Sequence, residues 1–381
     1  MNKIRTPKNR LRKLRTLSLG KENYEFQCLS KDNTEQYLID LCSNDYFGLS
    51  RNKDIIDAAY RTSLSEGLGS GSSRFISGSR PIHSLLEIKL AKWIGKDKVI
   101  LFPSGFQANI AAIQSLANRR SIIIADKFIH NSLLVGAKAT GAKLVRFLHN
   151  DLNDLKKKLS NFCSKENHII VVIESLYSME GTLAPIKEIV EICKQYKVKL
   201  LVDEAHALGI LGKGGKGLSN QFPKSVSLVS GSFGKSFGSG GAFLACNNDL
   251  YDQIIQTSGA LRYTTALSPS LAAGALKSLE MIENNTSWGD NLLNFSKKWK
   301  KRIKNIDKFD IKGDCHILSL MTYDDDKTLL LQRYLEENGF LGIAIRPPSV
   351  PEGHSRIRIT IRKTLTEEIL EEFISVLKNY K

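Results

Sequence analysis

Leu200-Leu201-Val202-Asp203-Glu204-Ala205-His206 and, further along, Ser227-Leu228-Val229-Ser230-Gly231-Ser232-Phe233-Gly234-Lys235 each begin as a short β-rich run and end in polar residues. Such runs mark strands of a parallel sheet covered on both faces. Glycines 231, 234, 238, 240 and 241 surround Lys235. Two letter patterns here mislead. Asp203-Glu204-Ala205-His206 is shared with a class of nucleic-acid helicases, and Gly234-Lys235-Ser236 is the end of a phosphate-binding loop. The complete loop needs a glycine where this chain has Val229, because its backbone amides wrap the phosphates. It should also precede the acidic motif, and here it follows. The nucleotide-hydrolysing reading fails on both counts.

Outward from this stretch, similar runs occur at Val99–Phe102, Ile122–Ala125, Ile169–Ile173 and Ala242–Ala245, with helix-like segments such as Ile186–Tyr196 between most of them. Strands alternating with helices give an α/β fold, a large domain with a mostly parallel sheet. Ligands of such sheets bind beyond the carboxyl ends of the strands. From about residue 285 the pattern changes. A basic helical stretch, Lys297–Lys304, leads into a few strands and a final helix from Thr366, a small C-terminal α+β domain. At the other end, the first 21 residues hold eight Lys or Arg and no acid, with Leu11, Leu14 and Leu17 at helical spacing. This predicts a basic helix lying on the body of the protein; an organelle transit peptide is the other reading of an Arg-rich, acid-free start. The expected division is 1–45, 46–285 and 286–381.

At 381 residues, 42% hydrophobic and 25% charged, the chain can bury a large core, which excludes wholesale disorder and disulfide-stapled scaffolds. No apolar run approaches the ~18 residues of a membrane helix, and the start lacks the apolar block of a secretory signal. Six cysteines without a CxxC pair indicate neither a zinc nor a redox motif. They fit a reducing, cytoplasmic compartment. The net charge of +16 has three readings: solubility, attraction of an anionic substrate or acidic carrier protein, or nucleic-acid binding. Charge alone does not choose.

The polar residues after the strands do more. His130 follows one run, Ser178 another; Asp203 and His206 end a third, and Ser232 and Lys235 a fourth. Singly each is ordinary: a histidine after a strand is usually structural, a lysine solvated, an aspartate a helix cap. In this order they match the needs of pyridoxal 5'-phosphate. That cofactor needs a lysine amine to condense with its aldehyde (Lys235) and a carboxylate at its ring nitrogen (Asp203). It needs donors to its ring oxygen (His206, Ser178) and a flat group to stack on the ring (His130). Ser104-Gly105-Phe106 opens a helix whose first amides can bind phosphate, and Ser232 adds a hydroxyl.

The chain resembles the α-oxoamine synthases in Ser43-Asn44-Asp45-Tyr46, Gly69-Ser70-Gly71-Ser72-Ser73-Arg74, Ser104-Gly105-Phe106, Asp203-Glu204-Ala205-His206, Ser232-Phe233-Gly234-Lys235 and Ile345-Arg346-Pro347-Pro348-Ser349-Val350-Pro351. The last segment is similar to the 8-amino-7-oxononanoate synthase branch. The resemblance implies the pyridoxal phosphate fold type I (aspartate aminotransferase-like), with Lys235, His130, Asp203 and His206 as catalytic residues. It implies cofactor contacts at Gly105, Phe106, Ser178 and Ser232, and at Thr265 or Thr264 from a neighbouring subunit of a homodimer with shared active sites. It implies that Arg358 and Asn44 hold an amino-acid carboxylate, and that Ser349 and an N-terminal arginine, Arg15 or else Arg12, meet the acyl group, with His130 also touching substrate. The implied reaction joins L-alanine to pimeloyl-CoA or pimeloyl-acyl carrier protein, without metal, membrane or nucleic acid. Glycine C-acetyltransferase, 5-aminolevulinate synthase and serine palmitoyltransferase are the related alternatives; a non-catalytic basic binding protein is the alternative of another class. Ala207 stands where the family has glycine, Ser268 where it has proline, and Ser232 and Ser349 where it has threonine.

Overall fold

The computed structural model describes residues 6–29, 34–162 and 168–381. Two units are distinguished. The smaller comprises Met1–Gly48, Ser178–Thr182 and Asp290–Lys381; the larger comprises Leu49–Tyr177 and Leu183–Gly289. The sequence reading divides the chain after residues 45 and 285. The N-terminal segment, however, groups with the C-terminal one, and so does the short excursion Ser178–Thr182.

The chain starts in the smaller unit with β1 (Ser18–Leu19), β2 (Glu25–Leu29) and β3 (Glu35–Asp40), an antiparallel set. The larger unit follows, with β4 (Lys98–Phe102), β5 (Ser121–Asp126), β6 (Lys143–Phe147), β7 (His168–Glu174), β8 (Lys199–Asp203), β9 (Leu228–Ser232) and β10 (Ala242–Cys246). Among the described residues these make a seven-stranded sheet in the order β4-β10-β9-β8-β7-β5-β6. β10 runs antiparallel to both β9 and β4; the other pairs are parallel. Strands β5 and β8 and the apolar part of β7 are buried on both faces, which is why they are continuous apolar runs. β6 escaped the sequence reading because Lys143 and Arg146 interrupt it, and it is the half-buried edge strand. The carboxyl ends of β4, β5, β7, β8 and β9 lie at one edge of the sheet, with Glu174, Asp203 and Ser230 in register across β7, β8 and β9.

The chain then completes the smaller unit with β11 (Asp310–Lys312), β12 (Ile317–Met321), β13 (Phe340–Leu341), β14 (Ile343–Ile345) and β15 (Arg356–Thr360). The order β11-β12-β15-β14 is antiparallel throughout, and β13 joins β3 in parallel. The final helix, Glu367–Asn379, is capped by Thr366 and buries Ile369, Leu370, Phe373, Ile374 and Leu377 on one face. Asp40 and Arg362 form a buried ion pair; Asp40 also accepts from Cys42 N at 2.8 Å and Ser43 N at 2.9 Å. Gly181 has φ +67°, and a Cβ there would stand 2.1 Å from the Ile317 carbonyl oxygen, so the Ser178–Thr182 excursion requires glycine at that point.

The N-terminal basic helix is not formed among the described residues. Only a 3-10 turn, Lys8–Arg10, is present, and residues 11–17 have no regular structure. Leu11 and Leu14 are exposed and only Leu17 is partly buried, against Cys28, Leu38 and Leu341, too little apolar burial to offset the cost of nucleating a helix of like charges. The extended path instead lets three arginines reach separate partners. Arg10 pairs with Asp325 and Glu352, Arg12 donates to Ser349 Oγ at 2.8 Å, and Arg15 pairs with Glu336 at 2.7 Å. No helix is long and apolar enough to cross a membrane, and no group of metal-ligating side chains occurs, among the described residues.

Candidate active site

Seven of the expected residues meet in the larger unit. A cavity of about 220 Å³ at the carboxyl edge of the sheet is lined by Gly105, Phe106, His130, Asp203, His206, Ser232 and Lys235, together with Asn109, Glu174, Ala205, Ser230 and Gly231. Each arrives on the turn that follows its strand. β8 ends in Asp203, whose carboxylate is buried; it accepts from Asn109 Nδ2 at 2.7 Å and from Ala205 N at 2.9 Å. His206 lies one turn further on. Behind it Glu204 is fully buried, accepting from Ser219 N at 2.6 Å and from the Ser175 hydroxyl. Burial pushes the Glu204 carboxyl up, while the Ser175 and Ser219 donors pull it back.

β9 delivers Ser232 and then Lys235, on a turn tied by Gly234 N to Ser232 Oγ and by Gly238 N to the Lys235 carbonyl. Gly238 has φ +57°, and a Cβ there would stand 2.3 Å from Ser50 N, so the turn depends on this glycine. After β4, Ser104 caps the helix Gly105–Leu116 by accepting from Gln107 N. The Gly105 and Phe106 amides thus belong to the first turn, where helical N–H groups have no intrahelical acceptor. A Cβ on Gly105 would sit 3.8 Å from Ser232 Oγ, which places this hydroxyl beside the start of the helix. His130 caps the helix Asn131–Thr140. Desolvation lowers its pKa, and Lys235 acts in the same sense against Asp203.

The donor set fits pyridoxal phosphate. A buried carboxylate, a primary amine, two imidazoles and the first residues of a helix line one cavity, and the buried Ser230 Oγ and Asn109 Oδ1 have no hydrogen-bond partner among the described residues. Thr265 belongs to this unit but is exposed and does not line the cavity.

The remaining expected residues lie in the smaller unit. Arg358 on β15 is buried; its Nε donates to the Ser178 carbonyl at 2.8 Å, Nη2 to Asn44 Oδ1 at 2.9 Å and Nη1 to Thr360 Oγ1 at 2.9 Å. No carboxylate is paired with it among the described residues, so this guanidinium is buried without a counter-charge. Ser178 is buried, and Ser349 is exposed beside Arg12. Arg15 is held by Glu336 and donates to Cys28 Sγ.

Asn109, Glu174 and Ser230 were not singled out from sequence. Asn109 left one signal: it is an amide among alanines and isoleucines, one turn after Gly105. Glu174 and Ser230 read as strand ends and left none.

The family described as aminotransferase class I and II matches residues 36–377. The chain is 33% identical over 339 residues to the 8-amino-7-oxononanoate synthase of Alkalilimnicola ehrlichii, covering 88% of this chain and 86% of that one. A structure of serine palmitoyltransferase with PLP superposes with a TM-score of 0.89 at 27% identity, covering 95% of this chain and 91% of the other. The 8-amino-7-oxononanoate synthase of Francisella tularensis gives 0.78 at 26% identity, covering 90% and 97%. With the matching segments and the cavity they build, these likenesses mean that the chain belongs to the aminotransferase class I and II family, among its α-oxoamine synthases.

Proposed function

We propose that this enzyme condenses L-alanine with a pimeloyl thioester, of coenzyme A or acyl carrier protein, releasing carbon dioxide and the thiol carrier and yielding 8-amino-7-oxononanoate. The observation that carries the reading is the convergence of Lys235, Asp203, His130 and His206 with the Gly105 and Phe106 amides on one cavity, in a chain one-third identical to 8-amino-7-oxononanoate synthases. The cofactor is pyridoxal phosphate, which when bound supplies an electron-withdrawing ring that stabilises charge at the amino-acid α-carbon.

The residues have the following work. Lys235 Nζ takes and returns the α-proton. Asp203 keeps a proton on the ring nitrogen. His206 and Ser178 donate to the ring oxygen, and His130 lies on the ring face. Ser232 and the Gly105 and Phe106 amides hold the phosphate. Arg358 and Asn44 hold the alanine carboxylate, which suits a buried guanidinium without a carboxylate partner among the described residues. Ser349 lies against the acyl chain with an N-terminal arginine. Because Glu336 already holds Arg15, Arg12 beside Ser349 is the better placed of the two.

The enzyme acts as a cytoplasmic homodimer in which Thr265 completes the neighbour's phosphate site. Support comes from Ile56, Tyr60 and Leu64, 50–72% exposed at helical spacing on one face, too much apolar stripe to leave in water.

The serine palmitoyltransferase neighbours favour a second reading, with L-serine and a longer acyl thioester. Purified protein is loaded with pyridoxal phosphate and offered L-alanine, glycine or L-serine, each with pimeloyl-CoA or palmitoyl-CoA. A visible cofactor band, lost in Lys235→Ala, with turnover of alanine and pimeloyl-CoA is expected. Turnover of serine and palmitoyl-CoA instead moves the substrates, and absence of any band sinks the catalytic account.

A further inference from the structure

Asp203, Asn109, Ser132 and His130 form one hydrogen-bonded line in which every proton can be placed. Asn109 is buried, and one atom of its amide contacts both Asp203 Oδ2 at 2.7 Å and Ser132 Oγ at 2.9 Å. A carboxylate accepts only, so that atom is Nδ2, and both its protons are used. Ser132 Oγ, buried too, therefore accepts from Asn109 and has its own proton to give. The acceptor is His130 Nδ1, 2.7 Å away, which also receives Ser132 N at 3.3 Å. With two donors aimed at it, Nδ1 carries no proton. The amide orientation is set from the carboxylate end, because Asn109 Oδ1 is buried without a donor among the described residues.

We propose that Asn109 and Ser132 are positioning residues that hold His130 as the neutral imidazole protonated on Nε2, its ring anchored to the Asp203 carboxylate. Resting on the proposed function, the consequence is a division of labour. From Nε2, His130 offers a ligand oxygen an N–H and offers a substrate proton no lone pair, which leaves α-proton removal to Lys235. The other groups lining the cavity that bear on the imidazole are Asp203, Lys235, His206 and Glu174. The same line ties His130 to the Asp203 carboxylate, the two residues that would meet the ring face and the ring nitrogen.

The test is nitrogen NMR of the full-length protein, labelled with ¹⁵N-histidine, with and without added pyridoxal phosphate; a His130→Gln spectrum assigns the signal. The wild type is expected to show bare Nδ1 and protonated Nε2. Asn109→Ala and Ser132→Ala are expected to give a tautomer mixture, with Asn109→Ala binding pyridoxal phosphate about tenfold more weakly. Ser132→Thr, which keeps the hydroxyl, is expected to restore the wild-type spectrum. A thermal melt checks that each variant is folded, which separates loss of the fold from a change of tautomer. The proposal is overturned if wild-type His130 carries its proton on Nδ1, or if both alanine variants, folded, keep the wild-type tautomer and cofactor affinity. Should the wild type take up no pyridoxal phosphate, the proposed function fails, while the tautomer in the cofactor-free sample still decides this inference; if the alanine variants fail to fold, the wild-type and Ser132→Thr spectra decide it.

Discussion

Asp40→Ala is expected to destabilise the smaller unit by about 4 kcal/mol or more. The side chains of Asp40 and Arg362 are 1% and 4% exposed, so the substitution strands a guanidinium out of water. Breaking such a pair from one side costs about 3–5 kcal/mol. The Cys42 and Ser43 amides lose their acceptor as well. Both residues are half-buried, so water recovers part of the further ~1 kcal/mol or more each represents. Arg362 keeps its bonds to the Asn23 carbonyl and Thr364, which limits the loss. For a unit of this size about 1 kcal/mol corresponds to roughly 2–4 °C, so the melting midpoint should fall by about 10 °C. Circular dichroism melts of the cofactor-loaded protein measure it. Asp40→Ala/Arg362→Met should regain most of the loss, since the cost lies in the stranded charge. A fall of under about 2 °C, or a double variant no better than the single, refutes the reasoning.

Burial pushes His316 down to about 3 and His83 to about 4, from an ordinary 6.5, with Arg358 acting in the same sense on the first and Arg74 on the second. The unfolded chain therefore binds protons that the folded chain refuses. Stability is full above about pH 6.5 and declines as pH falls towards 4; melts across that window should show a flatter acid limb in His316→Phe, and an unchanged slope would exclude His316 as a source. A Cβ on Gly231 would stand 2.5 Å from side-chain atoms of Leu208 and Phe243, so Gly231→Ala should cost about 1–3 kcal/mol in urea melts and weaken cofactor retention. Unchanged retention would mean that the strand carrying Lys235 yields without moving it. Glu204→Ala removes the acceptor of the Ser175 hydroxyl and Ser219 N and should cost about 2 kcal/mol or more, with Glu204→Gln recovering part; equal losses in the two variants would show that the charge, not the acceptor, matters.

The sheet was legible because β5, β7 and β8 are buried on both faces and so cannot hide their apolar runs, whereas the solvated edge strand β6 could. The cavity was legible for a related reason: polar residues that interrupt an apolar pattern at strand ends stand out, as Asp203, His130 and Lys235 do. Asn109 stayed hidden because its meaning comes from a carboxylate ninety-four positions away. Leu11, Leu14 and Leu17 misled because helical spacing produces a helix only when something covers the apolar face, and nothing in the sequence shows that Leu14 remains in water.

The smaller unit is built from the two ends of the chain, and this sets an order on its birth at the ribosome. About 240 residues separate Gly48 from Asp290. At ordinary synthesis rates of about 5–20 residues per second, the roughly 300 residues between β3 and β13 keep β3 waiting about fifteen to sixty seconds for that partner. Throughout that interval the edge of β3 destined for β13 is an open row of hydrogen-bonding groups, available to any other nascent strand. Slow synthesis or truncation before Phe340 thus puts aggregation at this edge, and a permuted chain beginning near Asp290 would be born with both parts of the unit adjacent.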